Sequence, residues 1–160
     1  MKRKGQWKTY AFWILLTEAV GFLSGWLTRA GTEAYKNGAI VKPPLSPPGI
    51  VFPIVWTVLF LLMGWGIARV RLTRPSAVRE KGGWLYGLQL AFNFCWSIYF
   101  FNLQVFGFAF FWLVILWVLI LWMTLTFRRV DVKAARLQIP YLLWVAFAGY
   151  LNAGVWLLNQ

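Results

Sequence analysis

Five apolar stretches, each close to the roughly 20 residues that cross a bilayer as a helix, take up most of this 160-residue chain. They run approximately over 10–27, 50–68, 84–101, 106–127 and 139–158, and the fourth has no charge from Leu103 to Phe127. One such stretch could be the buried helix of a soluble domain. Five leave too little polar chain to cover them: 61% of the residues are hydrophobic and 12% charged, against about 25% charged in soluble proteins. One-fifth of the chain is aromatic, including 12 Trp, which excludes a disordered chain. The expected fold is all-α, a single integral membrane bundle of five transmembrane helices over 1–160.

The charges lie between the stretches. The net charge is +12, and its position beside apolar segments points to an anionic lipid surface rather than nucleic acid. Lys2, Arg3, Lys4 and Lys8 precede the first stretch. Arg69, Arg71, Arg74, Arg79 and Lys81 follow the second, and Arg128, Arg129, Lys133 and Arg136 follow the fourth. With five spans these thirteen bases share one side, and Arg29, Lys36 and Lys42 lie on the other. The positive-inside rule then puts the N-terminus in the cytoplasm of a plasma-membrane protein. The first stretch, although preceded by bases, is long for a signal h-region, contains Glu18 and has no good Ala-x-Ala site after it, so it is expected to be a retained helix.

Several chemistries are excluded. Without His there is no Ser–His–Asp triad and no imidazole metal ligand, and one Cys, Cys95, offers neither an internal disulfide nor a metal set. No metal site is expected. Glu18 is the one acid inside a stretch, and an intramembrane ionisable group is a functional candidate as well as a packing partner. The connection from Arg29 to Gly49 is long, and Pro43, Pro44, Pro47 and Pro48 forbid helix there. It reads either as a stiff linker or as a lid over a pocket mouth.

At about 100° per residue, Gln89, Asn93, Trp96 and Phe100 form one stripe of the third stretch, with Gly83, Gly87 and Ala91 opposite. The first stripe mixes amides with aromatic faces. The second is a small-residue ridge that lets a second helix, and so a second copy of the chain, approach closely. In the fifth stretch Tyr141, Trp144, Ala148 and Asn152 share an arc in which small Ala148 leaves room. In the second, Phe52, Trp56, Phe60 and Met63 share a stripe. Aromatic stripes either pack or wall a pocket. Trp7, Trp84 and Trp156, near helix ends, read as interfacial belt residues.

Three of these segments resemble the TspO family of translocator proteins, also called tryptophan-rich sensory proteins or peripheral-type benzodiazepine receptors. They are Lys42-Pro43-Pro44-Leu45-Ser46-Pro47-Pro48 with Val51-Phe52-Pro53 and Trp56-Thr57; Gln89-Leu90, Asn93, Trp96-Ser97 and Phe100-Phe101; and Pro140-Tyr141, Trp144, Phe147-Ala148 and Leu151-Asn152. The resemblance covers roughly residues 35–152. It implies a five-helix bundle, a homodimer, and a pocket for tetrapyrroles such as protoporphyrin IX and other flat hydrophobic molecules. It implies contacts from Tyr35, Pro47, Phe52, Trp56, Gln89, Asn93, Trp96, Tyr141, Trp144, Ala148 and Asn152. Some bacterial members promote light- and oxygen-dependent porphyrin breakdown, and Trp56 and Trp144 match the tryptophans tied to it. No cofactor is required in either case: the porphyrin is ligand or substrate. The sterol motif of animal members needs a base after the last helix's Tyr, which Tyr150 lacks. Three functions stay open: a receptor or carrier, a photo-oxidative enzyme, and a ligand-free scaffold.

Overall fold

A computed structural model describes residues 4–38 and 40–160, so Lys2 and Arg3 lie outside the described residues. The described chain is helical without strands. Its elements are α1 (Gln6–Leu27), α2 (Arg29–Lys36), α3 (Val51–Arg71), α4 (Ala77–Ser97), α5 (Phe106–Arg128), α6 (Val132–Arg136) and α7 (Ile139–Leu158), with a π-helical turn at Ile98–Asn102 extending α4. Helix is what an apolar environment demands, because each segment then satisfies its own backbone polar groups.

Four segments are long and apolar enough to cross a membrane: α1, α3, α5 and the unit formed by α6 and α7. Helix α4 is as long as α3, but it opens with Arg79, Glu80 and Lys81 and carries Gln89 and Asn93 inside. Its polar interior face costs it the hydropathy of the other four. The boundaries follow local chemistry. Ser76 caps α4 by accepting the Arg79 N–H at 3.1 Å, and Asp131 caps α6 by accepting the Ala134 N–H at 3.0 Å. Pro140 sits in the first turn of α7, where its missing N–H costs nothing.

Helix α1 lies against α3 and α4, and α5 lies against α4 and α7. Gly64 permits the first contact: a Cβ there would stand 2.7 Å from Ile14 Cα. Met63, Ile67, Leu116, Ile120, Met123, Phe127, Tyr86 and Tyr141 are completely buried between α3, α4, α5 and α7. The outer faces are the reverse of a soluble protein's. Phe22, Trp84, Phe111 and Leu143 are each more than half exposed, apolar surface suited to acyl chains and not to water. Among the belt candidates, Trp7 and Trp84 are exposed, whereas Trp156 stacks on Phe110. Cys95 is partly exposed.

The first connection is not irregular throughout. Its opening eight residues form α2, joined to α1 through Thr28, whose N–H and hydroxyl both donate to the Ser24 carbonyl, at 3.0 and 2.8 Å. The rest is the proline segment, where prolines exclude helix and Leu45 adopts a left-handed φ of 68°.

Candidate functional site

Where α1, α3, α4 and α7 reach the α2 end of the bundle they part around a cavity of about 780 Å³. That lies within the 300–1,000 Å³ usual for small-molecule sites. Helix α3 contributes Phe52, Trp56 and Phe60, α4 contributes Asn93 and Trp96, and α7 contributes Trp144, Ala148 and Asn152. Tyr35 of α2 and Pro47 of the proline segment complete the expected set at the opening.

Each side chain is held by a specific contact. The Trp96 indole N–H donates to Asn152 Oδ1 at 3.0 Å, and Asn152 Nδ2 donates to the Phe106 carbonyl at 2.8 Å. Both aromatic face and amide are thereby fixed across three helices. Phe52 meets Trp144 edge-on at 6.0 Å and Tyr35 at 6.5 Å, the geometry that aromatic quadrupoles favour. Trp56 stacks on Phe60 at 5.5 Å. Trp144 differs from Trp96, Trp112 and Trp117, whose indole nitrogens all donate within the bundle. Its Nε1 is buried with no protein acceptor.

Two expected residues do not reach the wall. Gln89 and Tyr141 are completely buried and lie behind Asn93: the Asn93 amide donates to the Tyr141 hydroxyl, which donates to Gln89 Oε1, both at 2.7 Å. Their helical faces are the expected ones. They lie deeper along those faces, where hydrogen-bonded side chains fill the space between α4 and α7. Met63, the inner member of the α3 stripe, is likewise solid core.

The sequence reading singled out Glu18 and Phe100 but missed the rest of the wall formed by α1 and the π turn. Glu18, Gly21, Gly25 and Thr28 all line the cavity. Small and polar residues at three- to four-residue spacing were the signal available for that face. Phe100 and Phe101, both in the π turn that extends α4, line it as well. The π turn is marked by the Leu103 N–H donating to the Ile98 carbonyl at 3.0 Å. Gly31 lets α2 settle on this turn, since a Cβ would collide with the Phe101 carbonyl.

The opening is charged. Arg29, Glu33, Lys36 and Lys42 line it. Lys42 Nζ stands 4.7 Å over the Tyr35 ring, a cation–π contact, and burial pushes the Tyr35 phenol above its ordinary value, which keeps it a neutral donor. No cluster of three or more potential metal ligands occurs among the described residues. Gly83 is partly exposed, and Gly87 and Ala91 are exposed, on the face of α4 away from the cavity, and a Cβ at Gly87 would meet nothing within 4 Å.

The model of the TspO/MBR family matches residues 13–157. The chain belongs to that family. It is 39% identical over 153 residues to the tryptophan-rich protein TspO of Chlorobaculum tepidum, covering 94% of this chain and 96% of that one. It is 32% identical over 164 residues to the translocator protein of Bos taurus, covering 96% and 92%. Protein CrtK of Rhodobacter capsulatus is 34% identical over 122 residues, 76% of each chain. Family membership and the apolar helices make the chain an integral membrane protein. The matched region contains all the cavity-forming long helices except the opening turns of α1 and the last residue of α7.

Proposed function

We propose that this TspO-family protein is a membrane receptor for tetrapyrroles of the protoporphyrin IX type and other flat hydrophobic molecules, with α4 as a fifth span and transport as an extension of binding. The observation that carries the reading is the cavity itself: Trp56, Trp96 and Trp144 converge on it from three helices, and amides are few among the aromatic surfaces. A planar ring system offers π-faces to the indoles, each aromatic contact contributing about 0.5–1.5 kcal/mol beyond burial. Acceptors on its edge match the unpaired Trp144 N–H and the Asn93 amide. Carboxylates match Lys36 and Lys42 at the opening. The thirteen-to-three distribution of bases supports a plasma-membrane orientation with the N-terminus in the cytoplasm. The open α4 ridge supports a homodimer through Gly83, Gly87 and Ala91.

Tryptophan fluorescence of the purified protein, titrated with protoporphyrin IX, tests the binding. Saturable quenching, weakened by Asn93→Ala and Trp144→Ala, is expected. Unsaturable quenching indifferent to both variants would leave only the scaffold reading. Crosslinking tests the dimer, which Gly87→Leu should abolish.

A second reading is favoured by Trp56 and Trp144 both facing the cavity: photo-oxidative breakdown of the bound porphyrin, with these indoles as electron or hydrogen donors to the excited pigment in the presence of oxygen. Illumination with and without oxygen separates the two functions. Pigment loss no faster than in a protein-free detergent blank, or unaltered by Trp56→Phe and Trp144→Phe, removes the enzyme and leaves the receptor.

A further inference from the structure

We propose that Asn159, with Tyr150, is a positioning residue that clamps the proline flap over the cavity and so sets how fast a ligand leaves. The inference rests on the cavity being a ligand site.

The flap has little to hold it by its own chemistry. Prolines remove backbone donors, and Leu45 is held in a left-handed conformation. Its internal bond is Ser46 Oγ donating to the Pro43 carbonyl at 2.7 Å. Three further hydrogen bonds tie residues 41–44 to α7 and the residue that caps its end. Asn159, just past the end of α7, faces the backbone of Val41: its Oδ1 accepts the Val41 N–H at 3.0 Å and its Nδ2 donates to the Val41 carbonyl at 2.8 Å. A primary amide matches both backbone groups of one residue at once, as a neighbouring β-strand would. The same Nδ2 donates to the Val155 carbonyl at 2.7 Å, which ties the side chain to α7. One turn inward, Pro43 rests on Gly154, where a Cβ would collide with the proline ring. Further along, the Tyr150 hydroxyl donates to the Pro44 carbonyl at 2.7 Å.

The clamped segment leads directly to the pocket. Lys42, between Val41 and Pro43, places its ammonium over Tyr35, and Lys42, Tyr35 and Pro47 all line the opening. Asn159 and Tyr150 do not line the cavity. Their effect on a ligand therefore passes through the flap.

The full chain in detergent is compared with Asn159→Ala, Asn159→Asp and Tyr150→Phe by two measurements. One is amide hydrogen exchange across 40–46. The other is the release rate of protoporphyrin IX, followed by recovery of tryptophan fluorescence. Losing both Val41 bonds should raise exchange at Val41 and accelerate release about 3- to 10-fold, the factor expected for one or two exposed hydrogen bonds. Asp keeps an acceptor for the N–H but has no donor when ionised, so it should fall between Asn and Ala. Lowering the pH through the carboxylate range, where Glu18, Glu33 and the ligand's carboxylates also titrate, should move Val41 exchange in the Asp variant alone back toward that of the parent at the same pH, a behaviour that general loosening of the helix end does not produce. Unchanged exchange at Val41 in Asn159→Ala overturns the clamp. Raised exchange with unchanged release overturns its role in ligand exit. If the parent protein shows no saturable quenching by protoporphyrin IX, the ligand site fails instead, while hydrogen exchange still decides the clamp.

Discussion

Three helices, α3, α4 and α7, run through two very different layers. Toward α6, helices α3, α4, α5 and α7 close into solid packing around Met63, Ile67, Ile120, Met123, Tyr86 and Tyr141, all completely buried. Toward α2, helices α3, α4 and α7 part, with α1, around about 780 Å³ of space. Hydrophobicity does not separate the layers, since lipid tails are as apolar as Leu and supply no drive for helices to associate. Interlocking shapes and hydrogen bonds do. In the closed layer the polar groups pair across helices, as in Asn93–Tyr141–Gln89 and the contact between Thr17 and Tyr86. In the open layer Ala148, Gly21 and Gly25 fill little volume, and the Trp144 N–H has no partner.

The largest break in this contrast should come from Ile120→Ala. It opens a void in the closed layer and should lower stability by about 2–5 kcal/mol, read by thermal unfolding in detergent. Phe52→Ala, at the cavity, only enlarges existing space and should cost less stability while weakening porphyrin quenching. Tyr141→Phe keeps the packing but strands the Asn93 amide and Gln89 Oε1. A loss of about 1–3 kcal/mol is expected, and a melting temperature equal to the parent's would show that the two amides find other partners. Ala148→Leu sharpens the comparison from the other side. Filling the open layer should leave stability within about 1 kcal/mol, since the group enters empty space rather than a packed core. Protoporphyrin IX affinity should fall about tenfold or more, equivalent to about 1.4 kcal/mol.

The smallest effect belongs to the α6 end. Burial pushes the Asp131 carboxyl upward, but the Ala134 N–H and Arg69, whose Nη2 lies 2.8 Å from Asp131 Oδ2, outweigh it and hold the group below its ordinary value. A depressed carboxylate contributes stability that is present above the unfolded value of about 3.9 and is lost as pH falls through the lower folded value. The pair is partly exposed, so the contribution should be below about 1 kcal/mol. Asp131→Asn should flatten that acid limb of the stability profile, and an unchanged limb would assign it to other groups.

Much of the architecture was legible in the residues. The fifth stretch, read as 139–158, coincides with α7, and the first ends with α1 at Leu27. The stripes of α3, α4 and α7 do meet, and Trp56, Asn93, Trp96, Trp144, Ala148 and Asn152 face one cavity. What escaped did so for identifiable reasons. Helix α2 is one short amphipathic turn-pair amid turn-forming residues, below the length at which periodicity speaks. Phe101 lies in the π turn, which an α-helical projection does not describe. Gln89 and Tyr141 lie on the predicted faces, but at a depth where the neighbouring helix covers them.

Periodicity fixes the angle of a side chain around its own helix axis, and hydropathy fixes whether that helix can sit in a bilayer. Both are properties of neighbours along the chain, so the sequence alone determined a membrane helical protein and the faces its helices turn inward. How far along each axis two helices touch before they part depends on shapes meeting across different segments: Gly64 on Ile14, Gly31 on the Phe101 carbonyl, Pro43 on Gly154. Only the tertiary structure decided which stretch of a shared face is packed solid and which encloses space.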